Sequence, residues 1–288
     1  MPTRNNPVIR SALSESAFFQ RLKAKAKKVE VDETEYYILE GDTLLTEDQL
    51  LFYAQQQEAI AQARAAQRAA EGEGIRLIGT LHSPSSELIG IVEQGKLVRW
   101  RPGLTLTYCV LKRTFSDLAN YELICDNMER ASASWEKTCG IQFDHNRSED
   151  DIDTLQPRSV LFTVREFNAR GRFIAAAFFP DDPINRRRVL IDPSYYSVEL
   201  RFDKVGVLRH ELGHVLGFRH EHINSLAPPG CPDEDIFGKI ELTDYDPKSV
   251  MHYFCGGVGS EGLEITEVDK RGAQKVYGPP LATFHFVE

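Results

Sequence analysis

The sequence predicts an α+β protein in two parts: a mainly helical N-terminal segment, residues 1–95, and a larger unit, residues 96–288, that combines a sheet with long helices. Three observations carry this reading. The tract before residue 72 is rich in strong helix formers, the chain after Trp100 breaks into short apolar runs bounded by turn residues, and long helical patterns interleave those runs. At roughly 150 residues per domain, 288 residues allow two domains or one large domain with an appendage, and either can bury a sizeable core. Hydrophobic residues make up 42% and charged residues 27%, values that argue against a wholly disordered chain.

Residues 14–28 read as a helix with a basic end. Tyr36–Asp42 forms a short strand ending in a turn, and residues 47–71 form an Ala/Gln-rich helix stopped by Gly72 and Gly74. Residues 75–96, with Pro84, Gly90 and Gly95, form a connector with one or two short strands. Leu104–Leu111 then alternates as a strand. Phe115–Thr138 is a long helix with Ser116 as its N-cap and Gly140 as its stop. Ile141–Phe143, Val160–Val164, Phe173–Phe179 and Val189–Ile191 are strands of one sheet. Asp203–Leu216 returns to helix with Asp203 as N-cap. Glu267–Tyr277 is a last helix, whose Thr266 and Asp269 form a capping box with Asp in place of the usual Glu.

The net charge of −9 counts against nucleic-acid binding, which favours a basic surface. No apolar run approaches the roughly 18–20 residues of a membrane-spanning helix. The first residues lack the apolar segment of a secretory signal.

The chemistry is concentrated in His210-Glu211-Leu212-Gly213-His214-Val215-Leu216-Gly217-Phe218-Arg219-His220-Glu221. At about 100° per residue, with His210 at zero, His214 falls at about 40° and Glu211 at about 100°. Val205, Leu208, Leu212 and Val215 fall at about 140–220°, on the opposite side. The helix therefore buries an apolar stripe and presents two imidazoles with a carboxylate beside them. Two imidazoles one turn apart can bind one zinc ion, and a catalytic zinc needs a third protein ligand and an open position. His220 supplies the third if the chain turns back after the helix, and Gly217 stands where a positive φ would allow it. Glu211 is placed to take a proton from the attacking water and deliver it to a leaving amine. His-Glu-x-x-His alone arises by chance in roughly one such chain in 50; with Gly217 and His220 the odds fall to the order of 10⁻⁵–10⁻⁴.

The full pattern, His-Glu-x-x-His-x-x-Gly-x-x-His, resembles the zinc signature of the metzincin metallopeptidases. The resemblance extends over roughly residues 97–288. It implies a twisted, mostly parallel sheet with a backing helix and an active-site helix, and a C-terminal subdomain with a methionine-containing turn beneath the zinc. Ser249-Val250-Met251-His252-Tyr253 fits that turn and looks like the astacin branch. There Tyr253 would cap the metal at rest and swing to stabilise the oxyanion, Glu221 would help hold the mature N-terminus, and His252 would be a neighbour rather than a ligand. Ala175-Ala176-Ala177-Phe178-Phe179-Pro180 is similar to the substrate-flanking strand of matrixins. The sequence departs from astacins after Glu221, where it continues His222-Ile223-Asn224. It also lacks the histidine- and aspartate-rich segment that binds structural zinc in matrixins, so one catalytic zinc is expected.

The resemblance further implies a peptide substrate lying extended beside Ala175–Phe179, a monomer, action outside the cell, and a latent precursor. No cysteine precedes Cys109, which excludes a cysteine latch from the N-terminal segment. Leu39-Glu40-Gly41-Asp42 is similar to the astacin Phe-x-Gly-Asp latch, and Asp42 is its candidate carboxylate; a plain surface turn reads the same residues equally simply. Cys231 and Cys255 either bridge or stay as buried thiols. The acidic run Asp233-Glu234-Asp235, with Glu241, Asp244 and Asp246, offers calcium ligands but lacks EF-hand spacing and reads better as a solvated loop. Two further functions fit the motif: a zinc-containing binding protein without catalysis, and a zinc amidohydrolase acting on non-peptide amides.

Overall fold

The computed structural model describes residues 16–55, 58, 88–93, 96–223, 227, 228, 230, 231, 239–243 and 245–281. The chain divides into two compact units, Met1–Pro84 with Glu234–Gly238, and Ser85–Asp233 with Lys239–Glu288. The Ala/Gln-rich tract beyond residue 58, the acidic run 233–235 and Asp244 lie outside the described residues.

In the first unit, Ser16 caps α1 (Ala17–Lys25), its hydroxyl accepting from Phe19 N–H at 3.2 Å. Lys23 and Lys25 end the helix where its dipole is negative. The expected helix to residue 28 stops early because Lys27–Val31 alternates exposed and buried side chains and forms a strand instead, β1. The two-residue turn Asp32–Glu33, both at positive φ, leads into β2 (Thr34–Leu39), and β3 (Thr43–Leu45) completes an antiparallel sheet alongside the expected helices. Asp42 is the last residue of the β2–β3 turn, where Glu40 (φ 52°) and Gly41 (φ 93°) reverse the chain. Thr46 and Gln49 form a reciprocal cap for the helical stretch 47–55. Phe19, Tyr37, Leu50 and Ala54 form this unit's core.

The second unit begins with β4 (Ile89–Glu93) and β5 (Lys96–Leu97). Its main sheet contains β6 (Thr105–Val110), β7 (Gln142–His145), β8 (Phe162–Glu166), β9 (Ala175–Ala176) and β10 (Arg188–Ile191), in the order β7-β6-β8-β10-β9. All neighbours are parallel except β9, which runs antiparallel to β10 on the edge. The expected strand Phe173–Phe179 pairs only over Ala175–Ala176. It has one neighbour, and the Asp182 carboxylate takes the Phe179 N–H at 2.9 Å, diverting the backbone from the ladder.

Helix α2 (Leu118–Glu136) packs Ile124, Met128, Ala131 and Trp135 into a core shared with the sheet, α3 (Lys204–Val215) and α4 (Glu267–Tyr277). Its cap is Asp117 rather than Ser116, because a 3-10 turn at Lys112–Thr114 delays the helix; Asp117 accepts from Asn120 N–H at 2.7 Å. A second, antiparallel sheet surrounds β4, pairing it with β5, β11 (Phe218–Arg219) and β12 (Lys239–Glu241).

Buried Asp150 ties β6, α2 and β7 together. It accepts from Val110 N–H at 2.7 Å and Tyr121 Oη at 2.7 Å, and His145 Nε2 lies 3.0 Å from both its oxygens. Removing the carboxylate strands these groups in the interior. Asp150→Ala is therefore expected to lower unfolding free energy by about 3–5 kcal/mol in urea titration, with an unchanged m-value.

Candidate metal centre

Helix α3 begins at Asp203, whose carboxylate accepts from Gly206 N–H at 2.7 Å. It was expected to bury one stripe, yet the side bearing His210, Glu211 and His214 is buried as well. Neighbouring aromatic groups help cover it: Phe179 meets His214 edge-on at 5.3 Å, and Tyr253 stacks on His210 at 5.7 Å. Gly217 ends the helix at φ 92°, and a side chain there would crowd Val98 O at 3.0 Å and the Pro180 ring. The next two residues are β11, where Phe218 pairs with Gly90 and Arg219 with Ile89. Strand β4 thus fixes the path that brings His220 back to the helix.

The three imidazoles converge. His220 Nε2 lies 3.0 Å from His210 Nε2 and 3.1 Å from His214 Nε2. The other ring nitrogens of the helix pair face backbone oxygens: His210 Nδ1 is 2.7 Å from Val250 O, and His214 Nδ1 is 2.8 Å from Phe218 O. A carbonyl can only accept, so both Nδ1 atoms carry the proton and both Nε2 atoms present lone pairs inward. His220 Nε2 faces both of them. Three tetrahedral nitrogen ligands at 2.0–2.1 Å from zinc would stand about 3.3 Å apart, so the donor set fits a zinc ion bound through three Nε2 atoms.

Two other groups of metal-capable side chains occur among the described residues, Cys231 with His252 and Cys255, and Cys125 with His145 and Asp150. Donors already occupy Asp150, and burial pushes the Cys125 thiol up to about 11. Cys109 and Cys139 are also buried thiols, each pushed up to about 12 by burial. Cys231 and Cys255 are bridged, with Cα atoms 4.9 Å apart, which resolves the two readings of that pair.

Met251 lies fully buried beneath α3. A Cβ on Gly213 would collide with Met251 Sδ and stand 3.3 Å from the Trp135 ring, so any larger residue requires the methionine side chain to shift. Asp269 holds the turn. It accepts Ser249 Oγ at 2.5 Å and Val250 N–H at 2.9 Å while also accepting Thr266 N–H at 2.9 Å to cap α4. Burial pushes its carboxyl above the usual range, opposed by these donors. The sequence suggested only the cap; the shortened acid in place of Glu was the available sign of a second duty. Val250 is the same residue whose carbonyl orients His210, so α4, the turn and the imidazole form one chain of contacts.

Glu221 is buried, donates its N–H to Met251 O at 2.8 Å, and accepts from Asp246 N–H at 3.1 Å. Tyr253 is partly buried, with its ring 4.4 Å from that of His220. His252 is not among the converging histidines: it pairs with Tyr245 Oη at 2.8 Å and Tyr253 O at 2.5 Å, and burial lowers its pKa. Asp42 belongs to the first unit. His222, which the motif does not require, is buried beside His220 and Tyr253.

The sequence model of the matrixin family matches residues 99–229, a span that includes all three histidines and stops before Met251. Two solved structures of myroilysin are similar. One is 17% identical, covers 62% of this chain and 95% of its own, and has a TM-score of 0.43; the other is 14% identical, covers 62% and 85%, and has a TM-score of 0.41. No curated protein sequence matches the chain.

In an ordinary helix interior Gly→Ala stabilises by about 1 kcal/mol. At Gly213 the sign should reverse, with overpacking against Met251 and Trp135 costing about 1–3 kcal/mol in urea titration. The cost of Gly213→Ala should shrink when Met251→Ala is introduced in the same chain.

Proposed function

We propose that the chain is a zinc-dependent endopeptidase with His210, His214 and His220 as zinc ligands and Glu211 as general base. The second unit has a metzincin-like fold, and over residues 99–229 the chain is similar to matrixins. The observation that carries this reading is the trio of convergent Nε2 atoms, with two tautomers set by backbone carbonyls. Zinc held there would polarise the scissile carbonyl and lower the pKa of water to about 7.

Glu211, one residue beyond His210 on the buried face, receives the proton of the attacking water and returns it to the leaving amine. The Tyr253 hydroxyl, astacin-like in its sequence position, donates to the developing oxyanion. Strand β9 lies at the edge of the main sheet, so an extended substrate can add to it as a further strand. Met251, Gly217 and Glu221 build the floor and the return path that keep the histidines together.

We further propose that the N-terminal segment makes the chain a latent precursor, with Asp42 as the latch. Gly41, at φ 93°, gives this turn a backbone that can approach a metal closely.

The test is cleavage of an unfolded protein by the full chain and by a chain cut near residue 84, ahead of β4, with and without chelator. Cleavage should disappear with chelator and return with zinc. Glu211→Ala should lose about 10²–10⁴-fold in kcat while keeping its zinc. A zinc-replete wild type, cut or uncut, that leaves every peptide bond intact contradicts the endopeptidase reading. Asp42→Ala should raise activity of the uncut chain; a variant as silent as its parent removes the latch.

A further inference from the structure

We propose that Cys231, Cys255 and His252 form a second, redox-gated metal site. It is closed while the two sulfurs are bonded to each other, and becomes a ligand set for a zinc-class divalent cation once they are reduced. The proposal is separate from the peptidase reading, which gives none of these three residues a catalytic role. A His252 ring nitrogen and the two sulfurs lie within 4.8 Å of one another. With the bridge closed the sulfurs offer no thiolate, so the group holds one donor instead of three. Both cysteines are partly exposed and within reach of a soluble reductant, whereas Cys109, Cys125 and Cys139 are buried.

Reduction frees the sulfurs without dispersing the group, because each residue is also held by its backbone. Cys255 N–H donates to Val258 O at 3.1 Å and Val258 N–H to Cys255 O at 3.0 Å, closing a tight turn. Cys231 N–H donates to Pro228 O at 3.1 Å, and His252 N–H to Ser249 O at 3.0 Å. Two thiolates on one tetrahedral zinc, at about 2.3 Å each, stand about 3.8 Å apart. Side-chain torsions alone can supply that spacing from Cα atoms 4.9 Å apart. His252 already has the required tautomer. Its Nδ1 lies 2.5 Å from Tyr253 O, and a carbonyl can only accept, so Nδ1 carries the proton and Nε2 the lone pair. That lone pair accepts from Tyr245 Oη at 2.8 Å. A cation bound through Nε2 replaces this one hydrogen bond, and the hydroxyl of the partly buried Tyr245 turns to water. Two thiolates and a neutral imidazole suit zinc rather than calcium or magnesium, and water completes the tetrahedron. With a phosphine as reductant, the S–S bond breaks and phosphorus is oxidised to the phosphine oxide with the oxygen of one water, whose two protons leave both cysteines as thiols. Metal binding then releases one proton from each thiol.

The experiment titrates the metal-free full chain with Co²⁺, a spectroscopic stand-in for zinc, and reads the thiolate-to-cobalt charge-transfer band in the near ultraviolet, which imidazole ligands do not give. Wild type and C231S/C255S are measured before and after phosphine reduction, and H252A after it. Reduced wild type should bind one more ion than oxidised wild type and gain the band, and added zinc should abolish it. Oxidised wild type and C231S/C255S in either condition should lack the band, although Cys109, Cys125 and Cys139 are thiols in every sample. Reduced H252A should bind the additional ion at least about tenfold more weakly than reduced wild type. Reduced wild type without the band, a band that persists in C231S/C255S, a reduced chain that unfolds, or H252A that binds the additional ion as tightly as wild type overturns the proposal. Should C231S/C255S fail to fold, the contrast between oxidised and reduced wild type decides. A chain that cleaves no peptide leaves each of these expected results unchanged, so the two readings fail separately.

Discussion

Two backbone carbonyls, Val250 O and Phe218 O, decide the character of this protein by deciding which nitrogen of His210 and His214 carries a proton. With Nδ1 committed to a carbonyl, each ring turns a lone pair toward the same point, and His220 meets them there. Three ring nitrogens gathered at about 3 Å form a donor set that suits a cation held between them. Both carbonyls come from outside the helix. One follows Gly217 and the other precedes Met251, so the turn after α3 and the turn beneath it are as much a part of the site as the histidines.

The supporting structure serves those carbonyls. Strand β4 pairs with β11 and fixes the return of the chain after Gly217. Asp269, from the first turn of α4, grips Ser249 and Val250 and so sets the second carbonyl. Gly213 opens the space through which Met251 passes, and Trp135 of α2 closes it from the other side. The Cys231–Cys255 bridge fastens the segment just beyond Tyr253 to the loop after β11. Packing, capping and the covalent link all act on a stretch of chain that carries none of the three converging histidines.

Much of this was legible in the residues. The spacing of His210, Glu211, His214, Gly217 and His220 gave the helix, its reversal and the converging imidazoles, and Asp203 and Thr266 marked the starts of α3 and α4 where the structure has them. What escaped depends on contacts distant in sequence. The edge strand was overextended because an apolar run does not reveal that Asp182 will draw off a ladder hydrogen. In the first unit the basic run at Lys27–Lys28 read as helix, although the valines that follow alternate as a strand. Asp269 showed its cap, since a cap is local, but not its hold on the turn about twenty residues earlier. His222 looked like a departure from a pattern; its packing against Tyr253 depends on the turn that brings residue 253 back. The pairing of Cys231 with Cys255 was open for the same reason.

The central claim is that three imidazole nitrogens of one chain converge to bind zinc. X-ray absorption at the zinc edge of the purified full-length protein tests it most directly. The account predicts one zinc per chain with three nitrogen neighbours at about 2.0–2.1 Å and light oxygen scatterers completing the sphere. A sulfur neighbour at about 2.3 Å, or a chain that retains no zinc while its fold is intact, would contradict it.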